Sequence, residues 1–302
     1  MAEPFPSVTT ACRICSAETE AVGTKAGSRT GRIFELRRCR GCGFAFVSNP
    51  WVEFERIYDA EYYQGRGSDP LVDYLFELEH PHETIREFEW RGILQAVGHL
   101  VPLNSQTRWL DFGCGNGGLV RCCREQLKCD AVGFEEGWIS QQAQARGIPI
   151  LSSAALEQQQ RSFDVVTAIE VVEHAVDPIA LFQTIRSLLK PGGLLFLTTG
   201  NAAPFANKLL SWKYVVPEIH VSFYEPRTLQ RILERTGFRT ASPGFLPGYE
   251  DIIRFKVLKN LRFRRRAFWQ RFVPWRQVAR FFDNRLKITA LPIGWAVSEQ
   301  ID

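Results

Sequence analysis

The 302-residue sequence has no uninterrupted apolar run of about 18 residues, which excludes a membrane-spanning helix. Its opening, MAEPFPSVTTACRIC, lacks a basic stretch leading into an apolar core, so a secretory signal is not expected and the cytoplasm is the default compartment. No internal repeat is visible. What remains is 45% hydrophobic and 23% charged, the composition of an ordinary soluble globular chain. The length suffices for one sizeable α/β domain and one small accessory module.

Eight cysteines fall into two groups. Cys12, Cys15, Cys39 and Cys42 form two CxxC pairs, whereas Cys114, Cys122, Cys123 and Cys129 are scattered and are expected to be free thiols in a reducing compartment. Charge is also uneven. Arg254–Lys287 carries twelve Lys/Arg against one acid, Asp283, so with a whole-chain net charge of +4 the remainder stands at about −7.

Residues 1–50 are too few to bury a core unaided, and the two knuckles with 23 residues between them suit four thiolates around tetrahedral zinc. A redox dithiol and an iron–sulfur cluster are the weaker readings. Arg32–Arg37 alternates like a hairpin strand, and a ribbon this small is expected to need its metal to fold. Thiolates fill every zinc position in this reading, so the metal is structural.

Residues 51–106 read as a helical linker and candidate lid, with Tyr62 and Tyr63 as closing side chains and a helical pattern from His82 to Pro102. Strand–loop–helix alternation follows across 107–302. Strands are expected at Arg108–Phe112, Ala131–Phe134, Pro149–Leu151, Phe163–Ile169 and Leu194–Thr199, with helices between them. This order predicts an α/β fold, a Rossmann-like doubly wound and mostly parallel sheet preceded by the zinc ribbon. Ile293–Val297 is read as a last, antiparallel strand at the sheet edge, and 248–290 as a basic aromatic insertion.

The stretch Trp109–Gly118, WLDFGCGNGG, places glycines after a buried strand and opens a helix, so its backbone can approach a ligand closely. The same glycines satisfy the GxGxxG pattern of dinucleotide sites, which leaves a nicotinamide cofactor open at this point. Asp111 counts against it, because a carboxylate there repels a pyrophosphate and suits an ammonium. Glu135, ending the second strand, can accept ribose hydroxyls from either type of nucleoside.

The pieces LDFGCGNG, VGFEEG, SFDVVTAIEVVEHAVDP, LLKPGGLLFLTT and EIHVSFYEPRTLQRILERTGF together resemble the class I S-adenosylmethionine-dependent methyltransferases of the small-molecule branch. The full layout more loosely resembles bacterial methyltransferases with an N-terminal CxxC/CxxC module, including some acting on sugars. The resemblance implies that Asp111 holds the methionine ammonium. It implies that Gly113, Cys114, Gly115, Asn116 and Gly117 line the cofactor's backbone path, and that Glu135 binds its ribose. Phe134 and Trp138 would flank the adenine, Ser152 or Ser153 would stand near its amino group, and Glu170 would lie beside the methionine portion.

Methyl transfer from a sulfonium needs mainly alignment, with a base where the acceptor is a hydroxyl or an acidic carbon. His220 and His174 are the two candidates, both expected at the carboxyl edge of the sheet, with Tyr224 as a further lid residue. The acceptor is expected to be a small molecule: a sugar, a nucleotide sugar or a lipid-linked glycan. Within 254–287, Arg264–Arg266 suit a phosphate on that acceptor, and the aromatic–arginine mixture suits peripheral contact with the inner face of an anionic membrane. The bland alternative is a packed insertion whose arginines pair with the acidic remainder. The acidic balance elsewhere argues against a nucleic-acid surface. A non-catalytic zinc-ribbon/Rossmann scaffold is the alternative from another class.

Overall fold

The computed structural model describes residues 10–53, 56–67, 70–241, 245–281 and 294–298. The start of the chain and residues 282–287 of the basic segment lie outside that set. Two sheets organise the rest. The smaller is antiparallel and joins β1 (Thr19–Ala26), β2 (Ile33–Cys39) and β3 (Ala45–Val47) in order. The expected hairpin strand is therefore β2.

The larger sheet has the Rossmann-like alternation. Its parallel strands are β4 (Arg108–Phe112), β5 (Asp130–Phe134), β6 (Ile150–Leu151), β7 (Phe163–Ile169) and β8 (Leu189–Thr198). FDVVTAI has no polar face because helices cover both sides of β7, and Phe163, Val165, Val166 and Ala168 are all fully buried. Trp109 on β4 is equally buried, and its indole Nε1 donates to Thr167 Oγ1 at 3.0 Å, so a large polar-tipped side chain is satisfied inside the core.

Seven of the nine α-helices described precede the C-terminal insertion: α1 (Tyr74–Glu79), α2 (Arg86–Leu100), α3 (Gly118–Leu127), α4 (Trp138–Gln144), α5 (Ser153–Glu157), α6 (Pro178–Leu188) and α7 (Pro226–Arg235). Local chemistry sets their starts. Asp177 caps α6 by accepting from Ala180 N at 3.0 Å, with Pro178 as the first helical residue. Lys190-Pro-Gly-Gly193 does not break the chain out of the sheet as a loop. It bulges within β8, where the pairing with β7 jumps from Phe163–Leu189 to Val165–Leu194.

The sheet edge differs from expectation. β11 (Gly294–Ser298) is antiparallel but inserts between β8 and β10 (Phe238–Ala241), so β10 forms the edge. Four residues directly after Gly237 carry too short an alternation to announce β10, and without it the later strand took the outer place. β9 (Ser222–Phe223) was not expected from the sequence. It pairs with β3 and completes the small N-terminal sheet.

The insertion forms α8 (Tyr249–Asn260), a short 3₁₀ turn at Phe268–Phe272 and α9 (Trp275–Phe281). Pro274 separates the two, as its missing N–H demands. Phe268 and Phe272 do not share a face with Trp275: the first two are 67% and 68% exposed, and Trp275 is 8% exposed, its Nε1 donating to Gln270 O. Arg264, Arg265 and Arg266 pair with Asp73, Glu83 and Glu87, which is the packed-insertion alternative for those three side chains.

Candidate active site

Beyond the carboxyl ends of β4, β5 and β7 lies a cavity of about 1500 Å³. This is where open α/β sheets bind ligands, since the loops diverge there. It gathers Asp111, Gly113, Cys114, Gly115, Asn116, Phe134, Glu135, Glu170, His174 and His220 from the expected set, together with Tyr62, Tyr63 and Trp138. Gly117 starts α3 behind them, with φ +71°. Ser153 does not line the cavity. Its hydroxyl donates at 2.7 Å to Glu136, which does, while Ser152 caps α5. Tyr224 is fully buried with its hydroxyl on Val172 O and its ring against Phe44, so packing claims it and it closes over nothing.

Asp111 is buried on β4 and accepts from Thr167 Oγ1 at 2.8 Å. Burial pushes its carboxyl up to about 7, against the opposing pull of Thr167 and Arg86. A buried carboxylate lifted this far suits a cationic ligand. The adjoining turn is shaped for close approach. Gly113 has φ +74°, and a Cβ there would press on Val171, so the bare backbone is a requirement of the turn.

Glu135 spans that turn from the β5 side. Its Oε2 accepts from Gly115 N at 3.1 Å and its Oε1 from Gly137 N at 2.8 Å, with the Tyr63 hydroxyl at 3.4 Å. Burial raises its carboxyl even so. Tyr63 and Tyr74 stand edge to face with ring centroids 5.4 Å apart above Gly115 and Gly137, placing the tyrosine-rich linker over the cavity.

Glu170 follows β7 with φ +55°, a conformation costly for a side-chain-bearing residue and found most often where function or packing over-determines it. Burial would raise its carboxyl, but Lys256 and Lys259 hold it down at about 2. Lys256 Nζ lies 3.2 Å from Glu170 and 3.2 Å from Glu89. Burial and the neighbouring Glu170 charge push Glu173 the other way, to about 8. Tyr214 bridges the two acids, donating to Glu173 and standing 3.2 Å from Glu170.

His174 Nδ1 lies 2.8 Å from Ile219 O and 2.8 Å from the Tyr58 hydroxyl. His220 Nδ1 lies 2.6 Å from Tyr214 O. A carbonyl only accepts, so the His220 ring is the Nδ1–H tautomer with its acceptor lone pair on Nε2, whereas His174 also lies on the Glu170 carbonyl, a second acceptor for its single N–H. The rings are 5.0 Å apart. Burial and His220 push His174 down to about 3, so it is neutral at any physiological pH. Glu173, His174 and His220 bring one carboxylate and two imidazoles within 4.8 Å of one another.

Cys12, Cys15, Cys39 and Cys42 also converge, with all four Sγ within 4.8 Å. The Cys12–Cys42 and Cys15–Cys39 separations are 3.6 and 3.4 Å, near the roughly 3.8 Å edge of a zinc–thiolate tetrahedron. Ile14 N and Cys42 N point at Cys12 Sγ and Cys39 Sγ at 3.4 Å, the amide–thiolate contact of a metal knuckle.

Several cavity residues were not anticipated. Lys256, Lys259 and Asn260 come from the insertion, Arg86 and Glu89 from α2, and Lys213 and Tyr214 from the segment before β9. Arg86 pairs with Glu77 and Glu89 at 3.3 and 2.9 Å. Their only sequence signal was burial-adjacent charge, such as Lys256 one position from the buried Phe255.

A family model described as a methyltransferase domain matches residues 82–242, more than half of the chain. This chain belongs to that family. It is an S-adenosylmethionine-dependent methyltransferase. The chain is 30% identical over 176 residues to a ubiquinone biosynthesis O-methyltransferase of Leptothrix cholodnii, covering 52% of this chain and 73% of that protein. Proteins of the same description from Albidiferax ferrireducens (31% identical; 41% of this chain) and Cereibacter sphaeroides (36% identical; 36% of this chain) are matched over 53% and 48% of their lengths, so the enzyme spans about half of those relatives. Among solved structures, Haemonchus contortus phosphoethanolamine N-methyltransferase 2 in complex with S-adenosyl-L-methionine shares the fold, with a TM-score of 0.53 and 18% identity over 85% of this chain and 62% of that one. The matched region starts at residue 82, so the cysteine module lies outside it. No helix of the described residues is long and apolar enough to cross a membrane.

Proposed function

We propose that the enzyme methylates a hydroxyl of a small-molecule acceptor, with His220 as the general base. The observation that carries this reading is the His220 imidazole on the cavity wall, its Nδ1 held by the Tyr214 carbonyl so that Nε2 is the basic atom. Bound S-adenosylmethionine supplies an activated methyl group. The protein's own residues do the rest: Asp111 holds the ammonium, Glu135 the ribose hydroxyls, and Gly113, Cys114, Gly115 and Asn116 the path between them. Phe134 and Trp138 flank the base, and Glu170 stands beside the methionine portion, its position set by Lys256. Ser153 acts through Glu136. His220 takes the hydroxyl proton as the oxygen attacks, and His174, neutral and packed against it, keeps the ring in place.

The acceptor wall is aromatic. Trp212 and Tyr214 are stacked with centroids 4.8 Å apart, which suits the apolar face of a sugar or an aromatic ring, and the O-methyltransferase description of the relatives favours oxygen as the target. A lipid-linked acceptor fits the insertion. Six of the nine exposed large apolar side chains among the described residues, including Phe268, Trp269 and Phe272, fall within 261–281, interleaved with arginines, as in a segment that lies on an anionic membrane. Cys12, Cys15, Cys39 and Cys42 hold structural zinc, and residues 1–50, 51–106 and 107–302 act as ribbon, lid-bearing linker and catalytic domain.

The test is transfer of labelled methyl to matched phenol, sugar and amine acceptors. His220→Asn is expected to lower the hydroxyl-directed rate by about 100-fold while leaving cofactor affinity unchanged. An unchanged rate would remove His220 from the chemistry.

A further inference from the structure

The loop that carries His220 is built on the N-terminal module as much as on the large sheet. Leu209, Trp212 and Val215 share one core with Phe34, Leu36 and Val47. At the loop's far end β9 pairs with β3, and Val47 N donates to Val221 O at 2.9 Å. Midway between these attachments stands Glu218.

The Glu218 side chain reaches into the turn between β1 and β2. Its carboxylate accepts from Ser28 N and Oγ, Arg29 N, and Thr30 N and Oγ1, at 2.8–3.1 Å. Burial opposes the charge, but these donors win and hold the carboxyl below the usual range. Gly27 completes the cradle, because a Cβ there would overlap Glu218 Oε1. Hydrogen bonds to an ionised acceptor are roughly twice as strong as neutral ones, and five converge here, so this is a rigid anchor and no passing surface contact.

The anchor's neighbours in sequence contact both histidines. Ile219 O lies 2.8 Å from His174 Nδ1. His220 N donates to Val216 O at 2.8 Å, and its Nδ1 donates to Tyr214 O at 2.6 Å. Both imidazoles therefore contact the backbone of 214–219, and within that stretch Glu218 adds a side-chain anchor to the packing and β-pairing that join the loop to the module at either end.

We propose that Glu218 is a positioning residue, which ties the 214–220 loop to the 27–30 turn of the N-terminal module and thereby fixes the Nδ1–H tautomer of His220 and the placement of the Ile219 carbonyl that His174 contacts. The module thus builds the acceptor wall of the site. The importance of this for methyl transfer rests on the proposed role of His220, but the positioning itself does not.

The experiment uses the full-length, zinc-loaded chain with ¹⁵N-labelled histidine, reading tautomers from two-bond ¹H–¹⁵N correlation spectra, with S-adenosylhomocysteine titration as the control for the cofactor side. Two variants disturb the anchor from opposite sides. Glu218→Gln turns an amide donor toward the turn's own N–H groups, and Gly27→Ala displaces the wild-type carboxylate. In the wild type His220 is expected as the Nδ1–H form. In either variant His220 is expected to lose its single-tautomer signature while cofactor affinity stays within about twofold, because Asp111 and Glu135 sit on separate elements. Wild-type histidine signals in a folded variant would overturn the proposal and leave Glu218 as a docking contact only. A joint loss of tautomer and more than about tenfold of cofactor affinity would also overturn it, as general loosening. If Glu218→Gln fails to fold, Gly27→Ala decides by the same criteria. Failure of the base assignment would show separately, as a His220→Asn enzyme of normal rate whose parent still displays the fixed tautomer.

Discussion

Lys256 of α8 lies 3.2 Å from Glu170 at the end of β7, and this ion pair joins the C-terminal insertion to the floor of the site. Glu89 shares the same ammonium at 3.2 Å, and the insertion is thereby part of the cavity wall. Removing the cation would leave the buried Glu89 to Arg86 alone and the partly exposed Glu170 to Lys259, Thr198 and Tyr214. Lys256→Met is expected to cost about 1–3 kcal/mol of stability, with partial recovery in a Lys256→Met/Glu170→Gln double variant. Urea unfolding of the four proteins measures the coupling. The pH dependence has a fixed sign, since Glu170 is held at about 2 against an ordinary 4.5. Its stabilising contribution is complete above about pH 4.5 and is lost as pH falls toward 2, and that acid slope should be weaker in Glu170→Gln.

Asp111 gives a second pH signature, in binding. Its carboxyl stands at about 7 in the ligand-free protein, and an ammonium ligand requires it ionised. S-adenosylhomocysteine affinity should therefore rise with pH and level off above about 7, falling by up to about tenfold per unit on the acid side. Asp111→Asn should bind at least about 30-fold more weakly at pH 8 and show a flattened profile. Calorimetry between pH 6 and 8 reads both effects. A steep wild-type profile that persists in Asp111→Asn would assign the titration to another group, such as Glu173.

The cysteine cluster carries a metal prediction. The purified chain is expected to contain one zinc per molecule and no visible iron–sulfur absorption, and Cys39→Ser should lose the metal. Because Phe34, Leu36 and Val47 share a core with Trp212 and Val215, metal loss should raise hydrogen exchange across 209–224 as well as in the module. Protection unchanged in that loop would mean that the two parts are energetically independent.

The insertion's exposed rings predict an interfacial role. Arg271 stacks over Phe268 at 3.2 Å and over Phe272 at 4.9 Å, setting cation and aromatic side by side on the surface. Binding to phosphatidylglycerol vesicles is expected to weaken with added salt and to fall by at least about tenfold in a Phe268→Ser/Trp269→Ser/Phe272→Ser variant. Sedimentation with neutral and anionic vesicles measures this, and a wild-type protein that binds neither contradicts the membrane reading.

What could be read from the sequence was what neighbours in the chain decide. Asp111, the glycine turn and Glu135 lie within one strand–turn–helix–strand unit, so their convergence follows from a parallel βαβ geometry alone. The four cysteines announced themselves by knuckle spacing. Relationships across long sequence separations were invisible. Lys256 meets Glu89 and Glu170 only after α8 packs on α2, and in sequence it was one cation in a basic run. Arg264–Arg266 looked available for phosphate until the carboxylates of 73–87 were brought to them. β10 was too short to signal, which displaced β11 in the expected order. Glu218, two residues before the candidate base His220, gave no sign that its partner was a turn 188–190 residues earlier.

The most direct test of the central claim, that this cavity is an S-adenosylmethionine site, is calorimetric titration of the zinc-loaded protein with S-adenosylhomocysteine and, separately, with NADH. The account expects micromolar affinity for the former, abolished by Asp111→Ala without loss of the fold, and no heat with NADH. Binding of NADH, or S-adenosylhomocysteine affinity unaffected by Asp111→Ala, would contradict it.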